Sequence, residues 1–312
     1  MRRLQRWPQL ATLLVLALAL GYLAWLGWGL LPRTAPVNAG FDGDRALSLA
    51  QTQCEAGPRP AGSPENWRMG DDIAEELQRQ GWKTAVEEYT AGAMQLRNIA
   101  GLAGASGPLL VIAVHYDTRS VADADTDPER RKQPAPGAND GISGVATLLE
   151  LARALDVSHL RHRVWLVFLD GEADAGLPVW EAASGARDFV KGRQPDAVIY
   201  LNMAGAANAR FPQAPDANDL LGTQLWKQAA KLGHEDLFPP ETGPAIEDAH
   251  TIFVEAGIPT VEIIQPDYPY ARTSEDRCDK LDAATLKAVG VLLESYLENN
   301  DFLTIAPSLK KK

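Results

Sequence analysis

Three observations predict an α/β fold built on a mostly parallel sheet. Segments 108–114, 164–169 and 197–201 are nearly continuous apolar runs, long enough for strands buried on both faces and too short for typical helices. Helical patterns separate them, the clearest being the apolar series Ile142, Val145, Leu148, Leu149, Ala152 and Leu155. Each run then stops abruptly in polar residues, as happens where open α/β sheets bind ligands at the carboxyl ends of their strands.

In chain order, residues 11–31 form a charge-free apolar run of 21 residues. At about 1.5 Å per residue such a helix spans the roughly 30 Å hydrocarbon core of a bilayer. Arg2, Arg3 and Arg6 precede it and Arg33 follows, so the positive-inside rule places residues 1–10 in the cytoplasm and everything after the anchor outside. A cleaved signal peptide, with small residues at Val37-Asn38-Ala39, is the alternative, but the apolar run exceeds the about 7 to 15 residues of a signal core. Residues 32–43 read as a tether, and 44–312 as a single folded domain.

Within that domain, helices are expected over 44–54 and from Ser63 or Asn66 to 80, where Gly81 ends the second. Strands 83–89 and 95–102 follow as a hairpin, then the buried strand 108–114. Residues 119–137 carry no periodic pattern and read as a surface excursion. The remaining elements are helix 142–156, strand 164–169, helix 182–191, strand 197–201, helices 220–232 and 248–256, strand 260–264 and a closing helix 283–298. Trp180, Tyr268 and Tyr270 are read either as pocket or as core, with core the commoner place for aromatics.

The charge balance excludes one class of partner. With 41 acidic against 30 basic residues and a net charge of -11, the chain lacks the basic footprint that nucleic acid requires. Cys54 and Cys278 are the two cysteines. An oxidising exterior permits a disulfide between them, and two unrelated thiols are the equal alternative.

Chemistry gathers at the strand ends. His115 and Asp117 follow 108–114, Asp140 precedes helix 142–156, Glu172 and Asp174 follow 164–169, Asn202 ends 197–201, and Asp248 and His250 open a helix. Parallel strands bring such ends to one edge of the sheet, where histidine and carboxylates together suit a metal. Taken singly, each has a plainer reading: a satisfied core histidine, or an aspartate that only caps a helix.

Taken in order, GPRPAGSPEN, LRNIAG, VIAVHYDT, GANDGISGVATLLELARAL, VFLDGEA and EDAHTIFVEAGIP resemble the zinc exopeptidases that include aminopeptidases and glutaminyl cyclases. The resemblance covers nearly the whole domain and implies a three-layer α/β/α sandwich with a mixed, mostly parallel sheet. It implies zinc, two ions in the aminopeptidases and one in the cyclases, and action on a peptide amino terminus. His115 then resembles a ligand of one zinc, Asp140 the bridging carboxylate and Glu172 the general base or acid. Asp117 resembles the carboxylate that orients His115, and Asp248 a pocket acid near the substrate amine, with His250 beside it.

Three ligand positions depart from the pattern. Ala173 stands where the family places a Glu or Asp, Asn202 where it places an Asp, and Arg272, in DYPYART, where it places a His. An alanine offers no donor atom, and a guanidinium cannot coordinate zinc. At most one ion is expected rather than two, with Asp174 standing in if the GEADAG loop shifts register. Alternatively, Arg272 fills the metal's place beside Asp140 or Glu172 and the cleft serves as a binding module. Two functions follow: a membrane-anchored, extracytoplasmic metallopeptidase or glutaminyl cyclase, or a zinc-free pseudo-peptidase.

Overall fold

The computed structural model describes residues 40–174, 177 and 183–309 together with Tyr22. The anchor segment 11–31 thus lies outside the described residues apart from Tyr22, and Trp180 lies outside them altogether. Among the described residues no helix is long and apolar enough to cross a membrane.

The unit Asn38–Lys312 is built on one six-stranded sheet. Its strands are β1 (Lys83–Ala91), β2 (Met94–Ala103), β3 (Leu109–His115), β4 (Arg163–Leu169), β5 (Ala197–Asn202) and β6 (Thr260–Ile264), in the order β1-β2-β4-β3-β5-β6. The pairs β4–β3, β3–β5 and β5–β6 are parallel, whereas β1–β2 and β2–β4 are antiparallel. The sheet is therefore mixed, with its four-stranded parallel part fully buried in β3, β5 and β6. That burial on both faces explains why these strands read as continuous apolar runs, whereas the edge strand β1 is half-exposed.

Helices cover both faces. On one side lie α1 (Gly43–Glu55), α2 (Pro64–Arg79), α3 (Ser143–Ala154), α5 (Asp219–Lys231), α7 (Ala283–Glu298) and α8 (Phe302–Leu309), packed on Leu110, Ile112, Val114, Leu166, Ile199 and Val261. The opposite face, with Val111, Ala113, Val167, Val198 and Tyr200, is covered by the short helices α4 (Ser184–Phe189) and α6 (His250–Glu255). The local signals act as expected: Ser63 accepts from Asn66 N to cap α2, with Pro64 at its first position, and Asp282 caps α7 through Thr285 N. A two-residue turn joins β1 to β2, with Gly92 at φ 57.

Two elements differ from expectation. Helix α4 begins at Ser184 and ends at Phe189, shorter than 182–191, because Ala183 takes a left-handed conformation at φ 55 that a helix cannot contain. Helix α8 was not anticipated; it carries Pro307, which reads as a helix breaker, yet Phe302, Ala306 and Leu309 bury against the core. Cys54 at the end of α1 and Cys278 are joined in a disulfide across a sequence separation of 224 residues, which decides between the two readings of the cysteines.

Candidate functional site

The carboxyl ends of β3, β4 and β5 and the turn before α3 bring His115, Asp117, Asp140, Glu172, Asn202 and Asp248 together. His115, the last residue of β3, is buried, with Nε2 3.0 Å from Asp140 Oδ1 and 3.1 Å from Asn202 Oδ1. Its Nδ1 faces Asp117, 3.2 Å from the main-chain oxygen and 3.3 Å from Oδ1. Acceptors thus face both ring nitrogens. Burial opposes the charged form, but Asp117 and Asp140 raise the imidazole well above its ordinary value, so His115 stands as an imidazolium between two acids. Asp140 is conversely held below the usual carboxylate range: burial works against its charge, and His115, Arg119 and Arg59 outweigh it.

Asn202 links this group to the next. Its Nδ2 donates to Asp248 Oδ2 at 2.6 Å, so the amide spans from His115 to Asp248. Asp248 also accepts from Ala249 N at 2.6 Å, just before α6. His250 lies one step deeper, buried, with Nδ1 3.2 Å from Glu262 Oε2 and Nε2 3.2 Å from Asp216 Oδ2. Burial disfavours its charge, yet Glu262, Asp248 and Asp216 raise it to about 9. Burial, with Asp248 beside it, raises Glu262 to about 8.

Glu172 approaches from β4. Its Oε1 accepts from Ala186 N of α4 at 2.7 Å, while among the described residues the buried Oε2 has no hydrogen-bond partner. Burial first, then the charges of Asp117 and Asp248, push its carboxyl well above the ordinary value, which favours its neutral form. Asp170, two residues earlier, turns away and binds Asn66 Nδ2, Arg97 N, Tyr116 Oη and Gly171 N. Burial raises it to about 7.

The positions that departed from the zinc pattern take other roles. Ala173 donates its N–H to Asp117 Oδ2 at 2.8 Å. Asp174 accepts from Ser120 N at 2.7 Å through Oδ1, which ties down the loop after β3. Arg272 does not bind Asp140 or Glu172: its guanidinium, half exposed, engages Asp123 through Nε at 3.0 Å and through Nη2. The reason is local, since Ala124 N binds the main-chain oxygen of Arg272 at 3.1 Å and so brings Asp123 into reach.

Besides Arg119, a second buried cation faces the acids, Arg59. It is 1% exposed and donates from Nε to Tyr116 O at 2.6 Å, and among the described residues its buried Nη1 has no partner. Burial lowers its pKa to about 10, with Asp117, Asp276 and Asp140 opposing that shift. Sequence reasoning missed it because Arg59 lies between Pro58 and Pro60, where no periodicity reports burial. Tyr268, read as pocket or core, is buried and donates to Asp276 at 2.7 Å, and Tyr270 is 36% exposed.

The donors that converge are one imidazole nitrogen, one carboxylate and one neutral amide oxygen. Among the described residues no three His, Cys, Asp or Glu side chains are arranged to hold an ion. Catalytic zinc takes three protein ligands, typically His with Asp, Glu or Cys, so this set does not fit it.

A mixed six-stranded sheet covered by helices on both faces, with a histidine and several acids gathered at its parallel strand ends, has the architecture of the exopeptidase class. A family profile described as peptidase family M28 matches residues 98–297, and the chain belongs to that family. A leucine aminopeptidase precursor from Bacteroides thetaiotaomicron is 30% identical, covers 83% of this chain and 98% of its own, and superposes with a TM-score of 0.78. A Zn-dependent exopeptidase from Parabacteroides distasonis is 28% identical, covering 83% and 99%, with a TM-score of 0.76. The glutaminyl-peptide cyclotransferase of Bos taurus is 24% identical over 292 residues, 77% of each chain.

Proposed function

We propose that this chain is a membrane-anchored, extracytoplasmic member of the M28 family that binds peptide amino termini without running the family's zinc-dependent reaction. What carries the reading is the donor set: of three atoms converging on the metal position, only His115 Nε2 and Asp140 Oδ1 belong to strong zinc ligands, and His115 is engaged as a cation. Ala173 supplies no third donor, and Asn202 supplies only a neutral oxygen.

The same residues suit recognition of an amine. Asp140 and Asp248 are the partly open acids of the group, on either side of Asn202, while Asp117 and Glu172 are sealed beneath them. A protonated peptide amino terminus placed there would meet two carboxylates through charge-assisted hydrogen bonds. The apolar run 11–31 and its flanking arginines support the anchor and its orientation.

Fluorescence anisotropy with a labelled peptide tests the reading. A free amino terminus should bind at least tenfold more tightly than the same peptide acetylated, and Asp248→Asn should remove most of that difference. Equal binding of the two peptides would overturn it. The alternative, a working metallopeptidase or cyclase, is favoured by one observation, the unpartnered Glu172 Oε2. Turnover of aminoacyl or amino-terminal glutaminyl substrates, lost on Glu172→Gln, would establish that alternative instead.

A further inference from the structure

Asp140 sits in a turn that cannot hold itself. The segment Ala138–Ile142 is kinked, with Asp140 at φ -87, ψ 80 and Gly141 at φ 117, so its first amides find no carbonyl within the following helix. All three are satisfied from outside by one residue. Ala138 N donates to the main-chain oxygen of Asp276 at 3.1 Å, Asn139 N to its Oδ1 at 2.8 Å and Asp140 N to its Oδ2 at 3.1 Å. Asp276 is 1% exposed, and Tyr268 Oη donates to the same Oδ1 at 2.7 Å.

The residue that gathers these amides is itself fastened. Two positions further on, Cys278 is joined to Cys54 at the end of α1. Ala50, Ala138, Ile142, Ala146 and Leu281 pack beside that bridge as a small apolar cluster, separate from the two large ones. Beyond it, Ala207 N binds Lys280 O at 3.1 Å and Asp282 N binds Gly205 O at 2.9 Å, and Gly205 N returns to Asn139 Oδ1 at 2.8 Å. The loop around Asp276 thus connects α1, the turn of Asp140 and the exit of β5.

We propose that Asp276 is a positioning residue for Asp140, and hence for the His115–Asp140 pair, and that the Cys54–Cys278 disulfide is the tether that keeps it in register. The assignment goes beyond amine binding and does not depend on it, since it concerns how the acid is held rather than what it meets. In the full chain, Asp276→Ala should raise hydrogen exchange of the Asn139 and Asp140 amides at least tenfold while amides of β3 and β5 change less than twofold. The downfield imidazole N–H signal of His115 should weaken or vanish with it.

Asp276→Asn, which keeps one acceptor oxygen, should fall between Asp276→Ala and the parent. The double variant Cys54→Ser/Cys278→Ser leaves Asp276 in place and should raise the same two exchange rates several-fold, so it carries the test if Asp276→Ala does not fold. Unchanged protection of Asn139 and Asp140 in these variants would overturn the proposal. So would a loss of protection spread evenly through β3 and β5, which would mark a general loss of stability. Failure of free and acetylated peptides to differ in binding would leave these readings intact and count against amine recognition alone.

Discussion

At Asp170 and Glu172, two carboxyls separated by one glycine have opposite tasks because of what surrounds them. Asp170 receives hydrogen bonds from Asn66, Arg97 and Gly171 and shares a further one with Tyr116 Oη, which also reaches Arg97 O. Asp170→Asn turns an amide N–H2 towards two of those donors, so urea unfolding should show a loss of about 2–4 kcal/mol. Among the described residues Glu172 keeps one oxygen without a partner, and its surroundings favour the neutral form, so Glu172→Gln should change stability by less than about 1 kcal/mol. The strand-end acids were legible as a group because the apolar run stops so sharply before them. Which one faces the cleft was not, since that depends on Tyr116 and Arg97, distant in sequence and brought together by the sheet. Likewise, that Arg59 rather than Arg272 stands among the acids rests on two loops docking, which no spacing reports.

Among the elements, the short helix α4 is coupled most closely to the site. A Cβ at Gly185 would lie 2.4 Å from Asp170 O and 2.7 Å from Glu172 Oε1, so α4 approaches the β4 exit at a distance only glycine permits. Gly185→Ala should cost about 1–3 kcal/mol in chemical denaturation and displace Glu172, seen as loss of its bond to Ala186. Full burial made β3, β5 and β6 easy to place from sequence, whereas α4 and α6, at six residues each, are too short to show a reliable helical period. Helix α8 escaped notice because Pro307 gave a strong local stop signal that packing of Phe302 and Leu309 overrides.

Across the whole molecule, the site leaves a signature in the pH dependence of stability. Asp170, Glu262 and Asp276 have folded-state values raised to about 7, 8 and 6, and Glu172 is raised as well. Between the ordinary carboxylate range and those values the unfolded chain has lost protons that the folded one retains, so stability falls as pH rises. His250, raised to about 9, adds in the same direction: its contribution is complete below its unfolded value and is lost towards pH 9. Asp123 and Asp140 act oppositely, being depressed, and their contribution disappears only in stronger acid. Thermal unfolding should therefore show a higher Tm at pH 5.5 than at pH 8.5, by about 4–8 °C for a difference on the order of 2 kcal/mol. A Tm that rises across that interval would show that these acids are not buried as described. Reduction of the disulfide should lower stability at any pH by about 2–4 kcal/mol, the usual range for cross-links that close long loops.

The direct test of the central claim is a zinc titration of the purified full chain, followed by calorimetry and by metal analysis after dialysis. The donor set predicts less than about 0.1 equivalent of retained zinc. It also predicts near-stoichiometric binding once Ala173→Glu, Asn202→Asp and Arg272→His restore the missing donors. One tightly held zinc per unmodified chain, with peptide hydrolysis or cyclisation that Glu172→Gln abolishes, would contradict it.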